Sequence, residues 1–229
     1  MSAVLSQAAP AQTDVGARLA FQKQLQAVTN KIHATNNIDE IMLEVSADVC
    51  ALFNADRLTI YSMGEDKQSI ISKVKTGLNS FKDLKLPIAE HSIAGYVALS
   101  KKTANLKDVY DENELRGLNA NLRFLQEVDK RTGYRTKQML VVPILDGATL
   151  HGVIQVINNK SDQPFGDLEV EGATQLCKTL ATAIHQRMQR EQDGARRKAT
   201  KYDGLIADGE STAQALTSGY HLAFWIGAA

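Results

Sequence analysis

Cysteine is scarce in this chain. The two present, Cys50 and Cys177, fall in separate apolar helical patterns with neither CxxC nor Cys/His spacing. That excludes a disulfide framework and a metal or redox site built on closely spaced thiols, so both read as reduced core residues of a cytoplasmic protein. An excess of one charge is lacking too: 26 Lys and Arg stand against 26 Asp and Glu, a formal net charge of zero. No global field pulls the chain toward nucleic acid or an acidic membrane, and a charged ligand has to be met locally. Long apolar runs are also missing. MSAVLSQAAPAQTDVG has no basic start followed by an apolar stretch, so it is neither signal peptide nor membrane span, and residues 1–16 are expected to be a disordered leader. Among catalytic signatures, GxxxxGK[ST], GxSxG and HExxH are all absent, and the five histidines are scattered. The chain is not expected to turn over a substrate.

What is present is patterned. With 229 residues, 44% of them hydrophobic, one principal domain with tails is expected. Phe21, Leu25, Val28 and Ile32 recur at helical spacing and form a thin apolar seam on a helix from about Ala17 to Ala34, a seam that suits a partner helix. Asn36 and Asn37 can cap a second helix, which carries Asp39 and Glu40 in its first turn and Ile38, Ile41, Val45, Val49 and Leu52 on its inner face. From Arg57 the period drops to two: RLTIYSM, then SIISKVKT after a GEDKQ turn, then LKLPI read as strands. HSIAGYVALSKK follows as a short helix with Ser92 at its N-cap, and TANLKDV is extended. Leu118, Leu122, Leu125 and Val128 keep the spacing of a helix that closes near Gly133, a natural left-handed cap. QMLVVPILD and HGVIQVINNK pair across DGATL, and a final helix from about Asp167 to Gln192 carries the stripe Ala173, Leu176, Leu180, Ile184, Met188. This order implies an α+β design with helices on both faces of an antiparallel sheet.

SIAGYVALSKKTANLKDVYDENELRGLNANLRFLQEVDKRTGYRTKQMLVVPI, followed by GVIQVINNKSDQPF, resembles the GAF domain, and most of all the subtype of cyclic-nucleotide phosphodiesterases and bacterial adenylate cyclases. The likeness covers roughly residues 36–190. It implies a six-stranded antiparallel sheet with the terminal helices on one face and ligand-covering helices and loops on the other, within a domain of residues 17–192 that includes dimerisation helices. It also implies a regulatory role: sensing a cyclic nucleotide, cAMP or cGMP, and passing the ligand state through the terminal helices.

Site residues follow from the same likeness. Ser92, Ile93 and Ala94 begin a helix whose free amides suit a cyclic phosphate, with Gly95 letting the backbone come close. The resemblance sets Asp129, Thr132 and Thr136 over ribose and base, and Gln155 beneath the ligand. VDKRTGYRT becomes a lid whose Lys130, Arg131 and Arg135 stay in water. Departures from the family pattern are Leu125 at an aromatic lid position, Lys75 and Thr76 where an aromatic and an acid read the purine, and Val170 at the last acid of the NKFDE signature, which otherwise survives as Asn159, Lys160, Phe165 and Glu169. Asn159 and Lys160 are expected to tie the strand end to the last helix. Relatives that reduce methionine sulfoxide or attach a bilin need a pocket cysteine; here both cysteines fall on helices of the opposite side.

A homodimer is expected through the helices around Phe21 to Ile32 and Leu176 to Met188. Residues 193–229 are expected to be a linker and an atypical, truncated tail: GARRKATKYDGLIADGE resembles the linker of type II secretion and type IV pilus ATPases, and Leu222 to Ala229 is too short to span a bilayer. The alternative reading is a GAF module that binds no ligand and serves dimerisation or interaction.

Overall fold

A computed structural model describes residues 9–34, 38–75 and 84–207. Asn36, Asn37, Thr76 and the apolar tail from Ser211 lie outside the described residues. The elements run α1 (Ala9–Ala34), α2 (Ile38–Leu52), β1 (Ala55–Met63), β2 (Ser69–Lys75), β3 (Lys85–Pro87), α3 (Ile93–Ser100), β4 (Ala104–Leu106), α4 (Glu112–Leu118), α5 (Glu127–Thr132), β5 (Met139–Asp146), β6 (Thr149–Asn159) and α6 (Asp167–Ala207). The six strands form one sheet ordered β3-β2-β1-β6-β5-β4, with every pairing antiparallel. The α+β architecture expected from the pattern is therefore observed. β4 pairs only with Met139–Val141, so Pro143 falls where β5 has an open side and its missing N–H costs no ladder bond.

Alternation along β1 divides the core. Leu58 and Ile60 join one apolar cluster with α1, α2 and the first turns of α6; Tyr61 joins a second cluster with α3, α4 and Leu122. The chain divides into two compact units, Met1–Ile184 and His185–Ala229. In the first lie the sheet and both clusters. In the second, the described residues are helical as far as Ala207, with Met188 exposed and Arg187 donating to Glu191 at 2.9 Å. No helix among the described residues is long and apolar enough to cross a membrane.

Four expectations are corrected here. The seam Phe21, Leu25, Val28, Ile32 does not wait for a partner helix: all four side chains are buried in the first apolar cluster, with Phe21 edge-on to Phe53 at 6.0 Å. Leu176, Leu180 and Ile184 are buried in that same cluster, so these residues named for a homodimer belong to the chain's own core, while Met188 at the end of the stripe is exposed. Residues 9–16 of the expected leader are helical, since α1 begins at Ala9, and the helix of the expected linker runs on to Ala207. The single helix expected across Leu118–Val128 is two. Asn119 is extended at φ −160, ψ 137, its carbonyl and side chain take the amides of Leu122 and Asn121, and this local bonding stops α4. Leu122 is fully buried after that turn, while Leu125 stays 43% exposed.

Candidate functional site

Between β1 and the covering helices lies a cavity of about 90 Å³. Its floor is the solvent-averse side of the pleat: Arg57, Thr59 and Tyr61 alternate onto this face of β1, and Gln155 and Ile157 stand beside them on β6, with Thr59 paired to Gln155 and Arg57 to Ile157. The roof is the start of α3, the segment Phe124–Leu125, and α5 with the loop after it.

At the α3 end the sequence set the geometry. Ser92 is extended at φ −132, ψ 151, and its hydroxyl accepts from the Gly95 amide at 3.1 Å, while its carbonyl accepts from Tyr96 at 2.7 Å. Helix geometry then leaves the amides of Ile93 and Ala94 as donors at the cavity wall. Gly95 does let backbones approach, but the neighbour is protein: a Cβ there would lie 2.5 Å from the Pro87 carbonyl oxygen and 2.9 Å from that of Ala89. Its role is to seat α3 against β3, which corrects the expectation of a close approach to ligand. Beside this end, Tyr61 is only 3% exposed and burial pushes its phenol pKa far up. Among the described residues its hydroxyl has no hydrogen-bond partner.

The lid holds itself. Asp129, 5% exposed, accepts from the Thr136 amide at 2.7 Å, the Thr136 hydroxyl at 2.8 Å and the Tyr110 hydroxyl at 2.9 Å. Three donors satisfy a buried carboxylate. Thr132 is turned away: it is exposed, does not line the cavity, donates its hydroxyl proton to the Val128 carbonyl at 2.8 Å and accepts from the Tyr134 amide at 3.3 Å. Gly133, at φ 66, ends α5 in the left-handed cap expected of it. Tyr134 pins the lid's far side, donating to Asp56 at 2.7 Å and accepting from Asn158 at 2.9 Å. The Arg57 guanidinium lies over the Tyr134 ring, 3.4 Å from its centroid.

Of the seven expected site residues, Ser92, Ile93, Ala94, Asp129, Thr136 and Gln155 line this one cavity, and Thr132 does not. Arg57, Thr59, Tyr61 and Tyr134 line it as well and were not named from sequence. Three of those four could have been found, because the period-two pattern starting at Arg57 puts alternate residues on one face. The surviving NKFDE positions stand apart. Asn159 accepts from Asn54 at 3.1 Å and from the Ser161 amide at 2.9 Å, and the Lys160 amide donates to Asn54 at 2.8 Å. They tie the end of β6 to the turn before β1, correcting the expected tie to the last helix. Glu169 instead caps α6, accepting from the Gly166 amide at 2.9 Å.

A model of the GAF domain matches residues 37–184. The chain belongs to the GAF domain family. Its similar relatives include the probable 3',5'-cyclic phosphodiesterase pde-5 of Caenorhabditis elegans, 24% identical over 82% of this chain and 26% of the relative, and the dual 3',5'-cyclic-AMP and -GMP phosphodiesterase 11A of Takifugu rubripes, 29% identical over 62% of this chain and 15% of the relative. The chain thus spans about a quarter or less of the curated relatives it matches. Among solved structures, the GAF domain of a phosphoenolpyruvate-protein phosphotransferase from Coxiella burnetii superposes with a TM-score of 0.63 at 19% identity, covering 76% of this chain and 98% of that one. The free methionine-R-sulfoxide reductase of Neisseria meningitidis shares the fold at a TM-score of 0.58 and 11% identity, covering 83% and 99%. In this GAF domain neither cysteine lines the cavity: Cys177 is buried in the other cluster, 3.9 Å from the Val142 carbonyl oxygen, with its thiol pKa raised by burial. GAF domains are in general regulatory sensing modules.

Proposed function

We propose that this GAF domain senses a small molecule in the cavity between β1 and α3, that the ligand is a cyclic nucleotide, and that ligand state passes through the terminal helices to a signalling or secretion/pilus ATPase output. One observation carries the reading: the Tyr61 side chain and the start of α3, with the Ile93 and Ala94 amides, line the same cavity. The first amides of a helix have no intrahelical acceptor, and a ligand acceptor can meet them. An anion at a helix start is the natural one. The relatives named as cyclic-nucleotide phosphodiesterases support the ligand class.

A cavity of about 90 Å³ is smaller than the roughly 300–1,000 Å³ of most small-molecule sites, so a nucleotide needs it to widen. Entry requires the α5 lid to swing out, breaking the bonds from Thr136 and Tyr110 to Asp129. Ligand then shifts the population of lid states only by the difference in its affinity for them. The same small volume favours a second reading, an interaction module that binds no ligand, in which Asp129 and Thr136 simply satisfy each other.

Calorimetric titration with cAMP, cGMP and cyclic dinucleotides separates the two. A sensor gives a saturable heat that Thr136→Ala weakens and Thr132→Ala leaves unchanged. No heat with any of these nucleotides, from protein that unfolds cooperatively, establishes the interaction module.

A further inference from the structure

We infer that Arg57 determines the specificity of the cavity and selects a cyclic nucleotide with a 6-oxopurine base over one with a 6-aminopurine. This rests on the ligand-sensing reading above and deepens it.

The cavity has two donor-bearing ends. At one, α3 begins: Gly95 sits against the Pro87 carbonyl, Pro87 pairs with Ser69, and the next residue of β2, Ile70, pairs with Met63. The α3 start is therefore over the C-terminal end of β1, next to Tyr61. Arg57 stands at the other end of the cavity floor, four residues back, about 13 Å at the usual strand rise. It is half-buried, and among the described residues no carboxylate pairs with it. Its neighbour Asp56 is engaged by Tyr134, and Asp129 already accepts three hydrogen bonds. The Tyr134 ring supports one face of the guanidinium, which leaves the N–H groups along its edge.

A cyclic nucleotide has one anionic group, its phosphate. With that group on the Ile93 and Ala94 amides and the Tyr61 hydroxyl, the base extends along the floor past Thr59 and Gln155 toward Arg57. A guanidinium only donates, so it discriminates by acceptors. Guanine and hypoxanthine present two, O6 and N7, on one edge; adenine presents N7 beside an amine that also donates. The oxopurine edge matches the fork, and the adenine amine opposes it.

The test is competitive binding of cGMP, cIMP and cAMP to the full chain and to two variants. Wild type is expected to bind cGMP and cIMP alike, each about tenfold tighter than cAMP, the low end of what one bidentate pair discriminates. Equal cGMP and cIMP affinities assign the preference to the O6/N7 edge, because cIMP has no 2-amino group. In Arg57→Met, which keeps an unbranched chain over Tyr134, the cGMP-to-cAMP ratio should fall within threefold. In Arg57→Gln the preference should turn toward cAMP, since an amide pairs with adenine N6 and N7. Equal wild-type affinity for cGMP and cAMP, or an unchanged preference in both variants, overturns the role of Arg57 while leaving the sensor reading intact. Absence of binding by any of the three to cooperatively folded wild type overturns both.

Discussion

Tyr61 is the residue at which core and site compete. An apolar ring in that place would pack as well, and the hydroxyl has no protein partner among the described residues. Deleting it should therefore cost folding little and harm binding. Tyr61→Phe is expected to change stability in urea melts by less than about 1 kcal/mol, because the hydroxyl makes no protein hydrogen bond among the described residues, and to weaken nucleotide binding about fivefold in titration. Loss of stability with unchanged binding would show a purely structural tyrosine. Asp129 is the opposite case. Its position over the cavity suggests ligand contact, yet its oxygens are taken by Thr136 and Tyr110.

Among the elements, α3 and the β1–β2 hairpin do the positioning. The start of α3 meets the cavity only because Gly95 allows helix and β3 backbones to touch, and the hairpin fixes β3 beneath it. Asp66 organises that hairpin: it accepts from the Gln68 and Ser69 amides at 3.0 Å each and from the Ser69 hydroxyl at 2.8 Å, and it pairs with Lys85 at 2.8 Å. The Lys85 hydrogen bond, then the Gln68 amide, hold its carboxyl well below the usual range. A depressed folded-state pKa contributes stability above the unfolded value, about 3.9, and that contribution is lost as pH falls through the folded value. Thermal melts of wild type and Asp66→Asn should thus differ by a constant amount from pH 7 to about 5, and the gap should shrink progressively as pH falls below about 4. A gap that keeps its full size down to pH 2 would mean the amide fails for a reason unrelated to charge.

At the scale of the whole molecule, the sheet separates an apolar layer from a layer that holds the cavity. α1 and α2 cover one face with a dense apolar cluster; the other face carries smaller helices over a cavity. The seam of α1 belongs to the first layer, so Leu25→Ala should cost about 2–5 kcal/mol of stability with a midpoint independent of protein concentration. A midpoint that rises with concentration would restore the seam to an intermolecular interface.

The sequence by itself determined the elements and the faces they present. Period-two runs marked the strands, Ser92 and Gly133 marked helix ends through local hydrogen bonds and φ, and three ordered motifs marked the family. These are local properties, legible without knowing what packs where. Tertiary structure alone decided partners. Whether the Phe21–Ile32 seam met another chain or α2 depended on packing across the chain, and whether Thr132 faced ligand or its own helix depended on where α5 began. That Arg57 and the start of α3 bound one cavity follows from strand register, because the pleat fixes which face a residue takes but only pairing fixes what stands opposite.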